Sequence, residues 1–237
     1  MRNNRYLYGW GVAFFLMTVV LALFSWIGSI YGIAEVQSLL SAEGVRWMLN
    51  HSVTNYIQAP ALGIVLVLMM GLGIVSRSGL LDTLKRAIRK DKKLSRKERR
   101  ALGLSVITFF SCVFVVLVAM ALPWNLLMSA TGSWMRSPLS KGFIYILSVG
   151  MGMVGMVYGY ASDAFRRVGD VVEAMSCLIS RYAAYFVVLF FTVQFFSSLD
   201  YTRLPEWIGL SDEFFVNLSF LCSYLPMLLL ERWETEG

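Results

Sequence analysis

Apolar residues along this chain arrive in long, nearly unbroken runs, at about 6–33, 55–76, 101–122, 140–161, 182–199 and 213–230. Runs of roughly 17 to 26 residues match the length of a membrane-crossing helix, whereas a barrel strand needs only about 9 to 11. Asn217 and Pro226 interrupt the last run. Two shorter stretches mix polar and apolar positions at helical spacing. Val36 to Leu49 sets Leu39, Leu40, Val45, Trp47 and Met48 among Gln37, Glu43 and Arg46, and Gly169 to Ile179 sets Val171, Val172, Met175 and Leu178 against Asp170 and Glu173. Both predict amphipathic helices lying at the membrane surface. The pattern therefore predicts an all-α integral membrane protein of about six transmembrane helices plus two interfacial amphipathic helices.

Composition agrees. Of 237 residues, 57% are hydrophobic and 15% charged, with a mean hydropathy of +0.64, more apolar surface than a water-soluble domain can bury. The first run exceeds the apolar core of a signal peptide and is expected to remain as an anchor. The net charge of +6 would suggest nucleic acid in a soluble protein, but its location points elsewhere. Segment 76–100 holds eleven of the 21 basic residues, among them Lys85, Arg86, Arg89, Lys90, Lys92 and Lys93, and so is expected on the cytoplasmic side. With six spans, 17 basic residues then fall inside and four (Arg46, Arg136, Lys141 and Arg203) outside. This predicts a bacterial-type cytoplasmic (inner) membrane protein with both termini cytoplasmic, whose partner is the lipid bilayer and not nucleic acid. The basic segment also suits anionic lipid.

Chemistry-bearing residues are sparse. No ionisable side chain stands near the centre of a run: Glu35, Asp163, Asp200 and Arg203 fall at span ends, and His51 in the outer connector. Cys112, Cys177 and Cys222 are scattered among apolar neighbours with no metal-ligand spacing and read as small core hydrophobes. No nucleophile, base and acid set suggests catalysis, so no metal, cofactor or enzymatic activity is expected. The candidates for a substrate path are Asn55 and Gln58, three apart at the mouth of the second run, and Gln194 deep in the fifth. Asn55 and Gln58 could line an entrance or cap a helix start, and Gln194 could contact substrate or bond to a neighbouring helix. Candidates for close helix packing are Gly28 and Gly32, Gly155 and Gly159, Gly71 and Gly73, and Gly63. The order span, surface helix, span occurs at 6–76 and again at 140–199, with Tyr31-Gly32 and Tyr158-Gly159 opening the two connectors, the pattern of an inverted repeat. The chain divides on this reading into residues 1–90, with two spans, and 91–237, with four.

The second run carries a more specific pattern. Gly44-Val45-Arg46-Trp47-Met48-Leu49, Asn55-Tyr56, Leu62-Gly63-Ile64-Val65-Leu66-Val67, Gly71-Leu72-Gly73-Ile74 and Ser78-Gly79-Leu80 resemble the segment "GlxwilxnxvxNFxxFaPLGxvLvxmlGiGvaexSGL" of the AbgT family of p-aminobenzoyl-glutamate transporters. Leu94-Ser95, Glu98-Arg99-Arg100 and Leu102 resemble that family's cytoplasmic linker. Ser137-Pro138, Gly142, Tyr158-Gly159, Asp170-Val171-Val172, Ala174-Met175, Tyr185, Val187, Phe190, Phe191, Gln194 and Phe195 resemble its "SPfxxG, pGixYG, sdkDVVkAM, yxVlxFfaaQF" run. The resemblance covers roughly residues 38–200 and departs at Pro60, where the family proline stands one residue later, at Ala61.

The resemblance implies a transporter of p-aminobenzoyl-glutamate or related folate-like anions, acting as a homodimer. It also implies a reduced form, because members about twice this size carry two re-entrant hairpins that would fall between Lys90 and Leu94 and beyond residue 205. A competing reading is a non-transporting scaffold or accessory subunit that keeps the dimer-forming framework beside a membrane partner subunit. A broken helix in the fold is the feature expected of a transport site.

Overall fold

The computed structural model describes residues 5–32, 36–89, 94–121 and 138–234, which form ten α-helices and no strand. They are α1 (Arg5–Ile30), α2 (Ala42–Gln58), α3 (Pro60–Ser78), α4 (Leu80–Arg89), α5 (Arg96–Ala121), α6 (Pro138–Ala161), α7 (Val168–Arg181), α8 (Ala183–Tyr201), α9 (Leu204–Trp207) and α10 (Asp212–Glu234). Among the described residues five stretches are long and apolar enough to cross a bilayer: Leu7–Ile30, Ala42–Ser78, Arg96–Met120, Gly142–Ala161 and Ala183–Tyr201. The sixth expected run is helical within α10, with Pro226 inside it; the side chains of its last three residues lie outside the described set. Glu35, Arg136, Ser137, the side chain of Lys141 and the cluster Lys90, Lys92 and Lys93 also lie outside it.

Three expectations are corrected. The first surface helix does not span Val36 to Leu49. Residues 36–41 are non-helical, and the helix begins at Ala42 because the Ser41 hydroxyl accepts the Gly44 N–H at 3.0 Å and donates to the Ser38 carbonyl at 2.8 Å, satisfying an N–H that a helix start leaves free. It then continues to Gln58, so His51 stands on α2 and not in a connector, its Nδ1 3.0 Å from the Trp47 carbonyl. The basic segment is not a plain loop: it folds into α4, set off from α3 by Gly79 at φ +78°, a left-handed conformation that favours glycine. The second surface helix is present as α7.

The chain forms two compact units, residues 1–63 with 182–237 and residues 64–181, a division drawn through α3. In the first unit α8 is the hub. Gly11 lets α1 approach Val188, and Phe14 and Phe15 of α1 pack on Phe195, Phe196 and Phe191 at ring distances of 5.6–6.2 Å. The buried Tyr185 phenol donates to the Ser223 carbonyl of α10, and the Tyr56 phenol of α2 donates to the Phe186 carbonyl, both at 2.9 Å. The Leu39 N–H reaches the Ser25 hydroxyl at 3.1 Å, tying the non-helical segment to α1.

In the second unit α3 meets α6 through small residues. The Ser148 hydroxyl donates to the Val67 carbonyl, and a Cβ added at Gly71 would lie 2.5 Å from the Ser148 carbonyl oxygen. One at Gly155 would lie 3.1 Å from the Val75 backbone, one at Gly73 would meet the Ala174 carbonyl of α7, and one at Gly159 the Phe165 ring. Val171 and Ala174 of α7 close over Ile74 and Phe165. Gly71, Gly73, Gly155 and Gly159 are thus packing glycines. Gly28 is buried on α1, but Gly32 is not its packing partner: it lies beyond the end of α1 at φ +66°, exposed, with open space where a Cβ would go. Gly63 is likewise exposed, with no neighbour within 4 Å of an added Cβ among the described residues.

Gly71→Val is expected to destabilise the purified protein by about 1–3 kcal/mol, because the clash is with backbone and cannot rotate away. Gly63→Ala should be neutral or stabilising by up to about 1 kcal/mol through helix propensity. Thermal unfolding in detergent compares them, and equal melting temperatures would refute the packing assignment.

Asp170 adds a pH dependence. Its carboxylate accepts the Arg166 N–H at 2.7 Å and the Arg167 N–H at 2.9 Å, reaching back over the first turn of α7 as a capping side chain does. These backbone bonds, Arg166 first, hold its pKa below the usual aspartate value despite some desolvation. Because the folded-state pKa is depressed, the stabilisation is complete above the unfolded value, about 3.9, and is lost as pH falls through the lower folded value. The hydrogen-exchange protection factors at Val168–Val171, corrected for the intrinsic pH dependence of exchange, should stay flat from neutrality to about pH 4 and fall below it. In Asp170→Ala they should be low throughout.

Candidate substrate cavity at a helix break

The 37-residue apolar stretch Ala42–Ser78 is not one helix. Proline disfavours helical backbone in the residue before it, and Ala59 adopts φ −62°, ψ 119°. The Ala59 N–H still reaches the Tyr56 carbonyl at 3.3 Å, and the Ala59 carbonyl accepts the Leu62 N–H at 3.0 Å. Pro60 opens α3, where its missing N–H costs nothing. The break therefore sets the C-terminal, partially negative end of α2 against the N-terminal, partially positive end of α3.

A cavity of about 350 Å³ lies at this break, entirely within the first unit. Asn55, Gln58, Ala59, Pro60 and Ala61 line one side; Val193, Phe196 and Ser197 of α8 and Ser219, Phe220 and Ser223 of α10 line the other. No charged side chain is among them. Two carboxamides, three hydroxyls and two aromatic rings compose a surface suited to a ligand that is part aromatic and part polar. The Ser223 hydroxyl donates to the Ser219 carbonyl at 2.8 Å, leaving its oxygen free to accept. Asn55 Nδ2 is buried and has no hydrogen-bond partner.

The three polar candidates separate. Asn55 and Gln58 are brought together in the cavity, but at the end of α2, so they do not cap the start of the second span. Gln194 is elsewhere: its Nε2 donates to the Ser52 carbonyl at 2.6 Å, a bond between α8 and α2 that makes it a packing residue. The serines were not anticipated. Val193, Phe196 and Ser197 occupy one helical face, as do Ser219 and Ser223, a pairing that only a partner helix makes visible.

Residues 10–93 and 85–230 match the profile of the AbgT transporter family. The chain belongs to that family. It is 26% identical over 155 residues to the p-aminobenzoyl-glutamate transport protein of Escherichia coli; the match covers 59% of this chain and 30% of that relative, so the chain spans about a third of its length. Two solved structures share the fold. The Alcanivorax borkumensis YdaH transporter superposes with a TM-score of 0.72 at 17% identity, over 84% of this chain and 74% of that one. Neisseria gonorrhoeae MtrF, described as illuminating a class of antimetabolite efflux pumps, gives 0.74 at 16%, over 93% and 80%. These AbgT relatives are transporters and efflux pumps and not enzymes, and the chain is a multi-pass membrane protein like them.

Proposed function

We propose that this AbgT-family chain takes part in moving p-aminobenzoyl-glutamate, or a related folate-like anion, across a bacterial cytoplasmic membrane, holding it in the cavity at the α2–α3 break. The observation that carries this reading is Asn55 Nδ2. A buried donor with no partner costs about 1–3 kcal/mol, a cost a ligand oxygen offsets when it accepts that hydrogen. The ligand's aryl ring matches Phe196 and Phe220, and its carboxylates match Asn55, the serine hydroxyls and the first turn of α3, whose N–H groups favour anions. At about 350 Å³ the cavity falls in the range of small-molecule sites, about 300–1,000 Å³. The polar break in an otherwise apolar stretch also fits the broken helices on which transporters build binding sites.

The test is uptake of labelled p-aminobenzoyl-glutamate into proteoliposomes containing only this polypeptide. Uptake should be saturable and should collapse when ion gradients are dissipated. Asn55→Leu should abolish it while leaving the melting temperature equal or higher, because the substitution removes a donor that has no partner in the protein. Gln194→Leu should instead lower thermal stability by about 1 kcal/mol through the lost interhelical bond. No uptake and no substrate-dependent shift in melting temperature would reject this function and favour a non-transporting scaffold.

We further propose that α4 faces the cytoplasm and, with α10 as the sixth span, that both ends do so too, a reading that the 17 to 4 distribution of basic residues supports. In a cysteine-free background, a thiol at position 85 should react with an impermeant reagent only after the cytoplasmic side is opened. Labelling of intact cells would reverse the topology.

A further inference from the structure

The second unit contains a half-open groove of about 350 Å³ whose lining is almost wholly apolar. Leu72 of α3, Phe109 and Val113 of α5, Gly150 of α6 and Leu80 and Leu81 of α4 form its walls. Nothing in it can bind an ion or a polar solute, and it lies among stretches long and apolar enough to cross a bilayer.

What distinguishes this groove from any gap between helices is its end wall. Leu81 begins a stripe on α4 that repeats every four residues and continues as Lys85 and Arg89, about 6 and 12 Å further along the helix axis. Both cations are exposed, and among the described residues the ion pairs engage Arg77, Arg86 and Lys97, leaving these two outside them. The acid of α4, Asp82, stands three residues before Lys85 and about 60° round the helix from it, but among the described residues it forms no ion pair with Lys85 or Arg89. Beside the basic stripe, Leu81, Leu84 and Ile88 are exposed, Ile88 by 73%, a face that suits a helix lying among headgroups. The helix is also fixed in place. Thr83 is buried, its hydroxyl is 2.7 Å from the Tyr158 phenol of α6, and Arg86 joins Glu98 of α5 at 2.8 Å. A hydrocarbon groove thus has in its wall the first turn of an anchored helix whose Lys85 and Arg89 form no ion pair among the described residues.

We infer that the groove holds an acyl chain of an anionic phospholipid whose phosphate rests on Lys85 and Arg89. Charge complementarity selects the headgroup, and the all-carbon lining selects the tail. The inference is independent of any transported substrate.

The test is native mass spectrometry of the purified full chain offered phosphatidylglycerol and phosphatidylcholine at equal mole fractions. The wild type should retain phosphatidylglycerol by about tenfold over phosphatidylcholine. Lys85→Gln with Arg89→Gln should bring that ratio near one while lipid is still retained. Gly150→Leu fills the groove from α6, where an added Cβ meets nothing within 4 Å, and should reduce retention of both lipids. Val113→Trp fills it from α5 and should do the same, so a failure of either variant to fold leaves the other to decide. Equal retention of the two lipids by the wild type overturns the inference, as does a preference that survives loss of both cations. So do displacement of the lipid by inorganic phosphate alone, which marks a simple anion site, and filled-groove variants that change oligomeric mass with unchanged lipid count, which mark the groove as a contact with a second copy.

Discussion

A hydrocarbon solvent offers a peptide group no partner, so each N–H and C=O must be satisfied within the protein. Most of this chain meets that constraint by staying helical. Four polar side chains inside the helices then serve a neighbouring helix's backbone: Tyr56 donates to the Phe186 carbonyl, Tyr185 to Ser223, Gln194 to Ser52 and Ser148 to Val67. Each contributes about 1 kcal/mol or less, but each also fixes the register of one helix against the next. The constraint is relaxed at Ala59–Pro60, where backbone leaves the helix and a polar cavity opens, and one amide hydrogen donor there is left unmatched.

Much of the architecture was legible in the chain because it depends on composition over long windows. Five apolar runs fall in stretches long and apolar enough to cross a bilayer, and the mixed stretch near residue 170 is the helix α7. Local backbone chemistry was harder to read. The Ser41 hydroxyl, bonded between Ser38 and Gly44, starts a helix six residues later than hydrophobic spacing suggested. At the other end of that helix, the break at Ala59–Pro60 places Asn55 near a helix end instead of a helix beginning, which changes what its amide can do. Gly32 shows the same difficulty: a GxxxG spacing reports where small residues lie on an ideal helix, not where the helix stops.

The helix within the basic segment was hidden for a different reason. Its charge density matches a solvated connector, and the apolar stripe of Leu81, Leu84 and Ile88 is only three residues long. What organises it is tertiary, the bond between Thr83 and Tyr158, 75 residues apart in the chain. The cavity serines are another such case, since Ser197 and Ser219 become neighbours only when α8 and α10 pack. Contacts of this range leave no local trace in one sequence.

The glycine seam between α3 and α6 also bears on biogenesis. Ser148 follows its acceptor Val67 by 81 residues, and ribosomes add about 5–20 residues per second. The grooved face of α3 therefore waits in the bilayer for at least about four seconds, at that rate, before the helix that fits it has been synthesised. During that interval lipid tails or the insertion machinery must cover Gly71, so a close backbone joint of the second unit cannot form until synthesis has passed Ser148.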